Sequence, residues 1–204
     1  MGKKLAVIAI LAVICLLLWA MWIIYSRITA NRIMREGRNK KNFAFNYLSM
    51  RFSRLNTMKN VRLLVEDPSV QGGRYVSDVG TVFVNRGGVF VIESVYGSGF
   101  VDVDEGRKWS RTNIDRQYTF DDPLALNLSR VIALKTFLKN MNVYNVPVHN
   151  VVLFTGNRVK FSKRINGLVT ASELAAYLSD ANMDRHLNNQ DIRKIVKLIK
   201  SNQP

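Results

Sequence analysis

The sequence predicts an α/β domain carried behind an N-terminal transmembrane helix. Three observations predict it. Twenty-one residues, Leu5 to Tyr25, carry no charge. Two β-branched runs, Tyr75–Asn85 and Val89–Val95, flank a turn containing Gly87-Gly88. A stretch of helical spacing after Asp121-Asp122-Pro123 leads into the apolar run Val148–Phe154. Apolar runs joined by Gly-Gly read as paired, buried strands, and strands alternating with helices read as a sheet flanked by helices.

The chain's 204 residues, 48% of them hydrophobic, leave room for one globular domain and an anchor. The formal charge of +15 is uneven. Residues 26–60 carry nine bases against Glu36, and residues 156–204 carry nine bases against four acids. Residues 61–155 carry ten of each and are neutral. The basic excess therefore follows the apolar segment and returns at the C-terminus. Cys15 is the only cysteine, which excludes an intramolecular disulfide and a cysteine-rich metal site.

Leu5 to Tyr25 is long enough to cross a hydrocarbon core of ~30 Å at ~1.5 Å per residue, and longer than the ~7–15 apolar residues of a removable signal peptide. Trp19, Trp22 and Tyr25 cluster at its C-terminal end, where amphipathic rings favour the headgroup zone. Lys3 and Lys4 stand before it; Arg27, Arg32, Arg35, Arg38, Lys40 and Lys41 stand after it. The positive-inside bias predicts a single-pass protein with its N-terminus outside and its domain in the cytoplasm. The basic flank predicts contact with anionic lipid headgroups, with nucleic acid as the alternative counter-charge. Residues 1–26 are thus the expected anchor and 27–42 a basic juxtamembrane linker.

Phe43, Tyr47, Leu48, Phe52 and Leu55 recur near helical spacing and predict a helix laid with its aromatic face on the domain. Val61–Val65 reads as a first strand, closed by a turn at Asp67-Pro68. The two long strands follow, then shorter ones at Phe100–Val103 and Lys108–Thr112. Asp102, Asp104 and Glu105 lack the ligand ladder of a calcium loop and read as a solvated turn. Pro123 and the acids before it open a helix whose core face is expected at Leu124, Leu128, Val131, Leu134, Leu138 and Met141. His149 interrupts the run Val148–Phe154; without a partner nucleophile or second ligand it reads as a hydrogen-bonded structural residue. Thr170-Ala171-Ser172-Glu173 matches a capping box ahead of a helix through Leu174 and Leu178. Residues 183–204 contain a basic amphipathic helix, with Ile192, Ile195, Val196 and Ile199 on one face and Arg193, Lys194, Lys197 and Lys200 elsewhere. Such a helix docks on the domain, or binds a membrane surface or partner.

One carboxylate stands out. Glu93 sits at the end of the apolar run Val89–Val95, and an unpaired buried charge is costly, so a cation, a metal, hydrogen-bond donors or a wet cleft must meet it.

The run Gly87 to Trp109 (GGVFVIESVYGSGFVDVDEGRKW), with Asp122-Pro123 and Val151–Phe154 in order behind it, resembles the nuclease-related domain (NERD) family. The resemblance covers roughly residues 40–180, with the domain itself placed at 43–182. It implies a restriction-endonuclease-like mixed sheet flanked by helices. It also implies a site in which an aspartate and a glutamate on neighbouring strands converge on Mg²⁺ or Mn²⁺, and a lysine two residues past the glutamate serves the attacking water. Glu93 takes the glutamate position, but the lysine position is Val95. The aspartate position falls on Gly80, with Asp78 two residues earlier and, by strand alternation, still on the inward face. The resemblance also implies an early glycine-glutamate helix motif, which reads Gly37-Arg38-Asn39-Lys40-Lys41 here, and an Asn-Pro pair followed by a glutamine, where this chain has Asp122-Pro123 and Leu126.

Three functions follow. The first is a membrane-anchored domain with a degenerate site and no cofactor, acting in binding or assembly. The second is a metal-dependent nuclease using Asp78 and Glu93, with Arg74 or Lys108 replacing the lysine. The third is nucleic-acid binding without cleavage. The sequence names no protein partner.

Overall fold

The computed structural model describes residues 43–67, 69, 73–104, 108–113, 116–156 and 158–204, together with 15 and 18–21. Residues 18–21 are helical, and Leu18, Trp19 and Met21 in that piece are exposed. Among the described residues no helix is long and apolar enough to cross a membrane. The rest of the expected span, Trp22, Tyr25 and the basic flank from Arg27 to Lys41 lie outside the described residues.

The domain opens with α1 (Phe43–Leu48), which runs on into a π-helical turn at Ser49–Ser53. Strands β1 (Thr57–Glu66), β2 (Arg74–Asn85) and β3 (Gly88–Val95) follow as an antiparallel meander. Next come β4 (Phe100–Asp102), β5 (Trp109–Asn113) and β6 (Arg116–Phe120), then α2 (Pro123–Asn140) and β7 (Val148–Phe154). The chain finishes with β8 (Lys160–Phe161), β9 (Leu168–Thr170), α3 (Leu174–Met183) and α4 (Asn189–Ser201).

The strands form two mixed sheets where the sequence predicted one. The larger has the order β1-β2-β3-β7-β9, with β7 and β9 parallel to β3; the smaller has the order β6-β5-β4-β8. Strand β6 carries mostly exposed polar residues without apolar alternation, and β8 and β9 have two and three residues, so none left a readable period.

Side-chain alternation gives the larger sheet two apolar faces. Phe83, Phe90, Ile92, Val151 and Leu153 point to one, covered by Phe43 and Leu48 of α1 and Leu174 and Leu178 of α3. Val82, Val84, Val89 and Val91 point to the other, covered by Val131, Leu134, Phe137 and Leu138 of α2 and by Ile192, Ile195, Val196 and Ile199 of α4. The expected docking of the C-terminal helix is therefore observed. The smaller sheet closes the end of this second face, packing Val101, Val103 and Trp109 against Val152, Phe154 and Leu168.

Two expected core residues lie outside. Leu55 is 75% exposed: the π-helical turn ends at Ser53, so Leu55 falls in the bend that leads to β1, while Phe52 inside the turn still packs on the core. Leu128 is 48% exposed; the inner line of α2 runs through Pro123, Asn127, Val131, Leu134 and Leu138 instead. The Gly87-Gly88 turn is tight for a tertiary reason. A Cβ on Gly87 would stand 2.0 Å from the Ala181 carbonyl oxygen of α3.

Candidate functional site

The site is built where α2 crosses β3. Asp122 caps α2, its Oδ1 accepting from the backbone N–H groups of Leu124 (2.8 Å) and Ala125 (3.1 Å), and Pro123 fills the first turn without wasting a donor. From that start the helix brings Asn127 over the sheet. Asn127, 1% exposed, donates through Nδ2 to the Val91 carbonyl (3.0 Å) and to Asn150 Oδ1 (2.8 Å). Asn150 in turn donates to the Leu124 carbonyl at 2.8 Å. These bonds tie α2 to β3 and β7, whose alignment sets Glu93 opposite Val152.

Glu93 follows Val89 and Val91 at two-residue spacing, so its carboxylate leaves the sheet on the α2 side. One turn beyond Asn127, Arg130 reaches it, Nη1 donating to Glu93 Oε2. Both side chains are about one-third exposed, at 31% and 35%. Of the partners that the sequence left open, the one present is a cation from the same chain. Sequence reasoning missed Arg130 and Asn127. Their only trace is their position after the capped Asp-Pro, and a sequence does not say which strand a helix crosses.

Asp78 is placed differently from the sequence expectation. Ungapped alternation kept it on the Glu93 side, but Gly80 has φ +77° and β1 opposite it carries register shifts between Met58 and Arg62. No atom lies within 4 Å of a Cβ built on Gly80, so its backbone conformation, rather than crowding, calls for glycine. The irregularity changes the phase of β2. Val79 enters the core cluster that also holds Val82, Val89 and Val91, and Asp78 turns to the opposite, exposed side. There Asp78 Oδ1 accepts from the Gly80 N–H at 3.1 Å.

Val95, at the lysine position, is half-buried against the apolar cluster between the two sheets. Arg74 is ion-paired with Glu66 at 2.7 Å on the exposed β1–β2 ribbon. Lys108 is exposed just ahead of β5. His149 stacks on Phe90, ring centroids 4.5 Å apart, with Nε2 3.0 Å from the Gly87 carbonyl, which is the structural role expected of it. Among the described residues no group of three or more His, Cys, Asp or Glu is placed to hold a metal ion. With one carboxylate held by an arginine and the other on the far face, the arrangement does not fit a two-carboxylate magnesium site.

A second carboxylate is satisfied in a comparable way. Glu173 Oε2 accepts from Thr170 N (3.0 Å) and Thr170 Oγ1 (2.8 Å), while Arg164 pairs with Oε1 at 2.9 Å. Burial pushes this carboxyl up, but the Thr170 hydrogen bonds and the Arg164 charge outweigh it and hold it below its ordinary value. Only the Glu173 half of the expected capping box forms, and α3 begins at Leu174.

The model of one family, the nuclease-related domain (NERD), matches residues 36–155. No curated protein and no solved structure matches the chain. The match covers more than half of the chain, which belongs to this family. It stops at the end of β7, so β8, β9, α3 and α4 lie beyond it although they complete the same cores.

Proposed function

We propose that this member of the nuclease-related domain family is a membrane-anchored protein whose domain acts in binding or assembly at the cytoplasmic face, with its ancestral cleavage site retired. The observation that carries the reading is the Glu93–Arg130 ion pair. A guanidinium in hydrogen-bonding contact with the glutamate occupies the ground a divalent cation would need, and it hardly deprotonates, so it is a poor activator of water. Val95 brings no proton chemistry to the lysine position. No metal is required for the domain to bind.

The anchored part of the reading is supported by the charge-free run Leu5–Tyr25, the exposed Leu18, Trp19 and Met21, and the excess of bases after the run. The positive-inside bias then gives a single pass with the N-terminus outside.

The test of the retired site is a cleavage assay. Purified full chain is incubated with single- and double-stranded DNA in Mg²⁺ or Mn²⁺, beside Glu93→Ala. No metal-dependent cleavage is expected from either, and Glu93→Ala is expected to keep cellular function. Cleavage by the wild type that Glu93→Ala abolishes would establish the nuclease instead. The anchor is tested separately: the chain is expected to stay with membranes through alkaline carbonate, and release into the supernatant would refute it.

A further inference from the structure

The apolar face of α4 is spent on the core, which leaves its other face to be explained. Arg193, Lys197 and Lys200 are spaced four and three residues apart, so they form one stripe on the outside of the helix, about 10 Å long at 1.5 Å per residue. All three are exposed, and among the described residues none is ion-paired with a carboxylate. With Leu55, Asn56, Val196 and Ser201 they line a cleft of about 490 Å³, in which Leu55 and Val196 are the apolar residues. No described acid lines it. Lys200 Nζ donates to the Leu55 carbonyl at 3.2 Å and fixes the stripe against the segment that enters from α1.

We propose that this cleft is a binding site for anionic phospholipid, the cations taking the headgroup phosphate and Leu55 with Val196 taking the adjoining apolar part. It rests on the membrane-anchored reading. The cations and the apolar residues of the cleft match the two parts of that ligand. An exposed leucine beside three cations that meet no described carboxylate suits an anionic amphiphile, in which charge and hydrocarbon adjoin. A nucleic-acid backbone would use the cations but not the apolar residues, and the cleft presents no aromatic ring for base stacking. Leu55 also follows directly on the first folded segment after the basic linker, the end of the domain closest in sequence to the expected anchor.

The experiment uses the full chain, solubilised in detergent and reconstituted into nanodiscs of phosphatidylcholine with or without phosphatidylglycerol. The readout is the rate of amine acylation at individual lysines by mass spectrometry. Phosphatidylglycerol is expected to slow Lys197 and Lys200 by about tenfold while sparing Lys135 and Lys139, exposed on α2. Leu55→Asp, a change at an exposed position, is expected to remove that protection. Equal rates in the two discs overturn the proposal, as does equal slowing at Lys135 and Lys139. Matching protection in neutral discs by inorganic phosphate or by a single-stranded oligonucleotide assigns the stripe to a soluble anion or to nucleic acid, and overturns it too. If the chain fails to enter discs, the anchored reading fails on its own. Flotation with phosphatidylglycerol vesicles then decides the stripe. Wild type is expected to float and the Arg193→Gln, Lys197→Gln, Lys200→Gln triple variant to stay behind; equal behaviour of the two overturns the site.

Discussion

The corner where α2 crosses β3 and the outer face of α4 both set basic side chains beside apolar packing, yet among the described residues only the first meets a carboxylate counter-charge. At the corner, Arg130 pairs with Glu93 and Asn127 ties the helix to the strands beneath it. On α4, three cations in a stripe have no described carboxylate partner and line a cleft whose apolar residues are a leucine and a valine. The corner lies within the family match, in the neutral stretch of the chain; α4 lies beyond it, in a basic one. The difference separates charge used to hold the fold from charge left available to a partner.

That comparison is most exposed to failure at Asn127. Replacing it with Ala removes two well-formed hydrogen bonds and leaves the half-buried Asn150 side-chain oxygen and the buried Val91 carbonyl short of a donor. A loss of about 2–3 kcal/mol in urea unfolding is expected. A loss below about 1 kcal/mol would mean that apolar packing alone seats α2, and that the corner is not held by its polar groups.

The ion pair itself should count for less. Exposed and half-exposed pairs are screened by water, so a double-mutant cycle of Arg130→Ala and Glu93→Ala should give a coupling of about 0.5–1 kcal/mol, shrinking with salt. Zero coupling at low salt would leave Glu93 available to other partners and weaken the retired-site reading.

Glu173 offers a pH test in the region beyond the family match. Its folded carboxyl is held below its ordinary value of 4.5, so its contribution is complete above that value and disappears as pH falls through the lower, folded one. The melting temperature of Glu173→Gln should therefore lie below wild type near neutrality and converge with it in acid. A constant gap across that range would show that the Thr170 contacts act without the charge.

The smallest effect on stability is expected for the α4 stripe. The triple glutamine variant should unfold within about 0.5 kcal/mol of wild type, because its side chains face solvent and hold little of the core. A larger loss would make the stripe structural, which would erase the contrast between the two regions.

Several elements were legible without coordinates because a local pattern dictated them. Val148–Phe154 is an uninterrupted apolar run and forms β7 over those residues. Asp122-Pro123 is a helix start by its own hydrogen-bonding and φ preferences. The four aliphatic residues of α4 recur at helical spacing and all are buried. Misreadings arose where a local feature cut a pattern short or shifted it. The first helical segment stops at Ser53 and leaves Leu55 in a bend outside it, and a polar residue at the centre of the inner face of α2, Asn127, shifted its apparent stripe toward Leu128. The family match ends at Thr155, short of the roughly 180 that the motifs suggested, although the fold continues past it.

By itself, the sequence determined the family, the main strands, the capped helix and the fact that Glu93 needs a partner. Those follow from residue chemistry, dihedral preference and periodicity, which act within a few residues of the chain. Tertiary structure alone decided which partner Glu93 has and which way Asp78 faces. Arg130 stands 37 residues from Glu93, and its approach depends on where α2 crosses the sheet. Asp78 faces outward because the irregular pairing of β1 and β2 around Gly80 reverses every side chain before it. Strand alternation has a period of two, so a one-residue shift in pairing is enough to carry a carboxylate from one face of the sheet to the other.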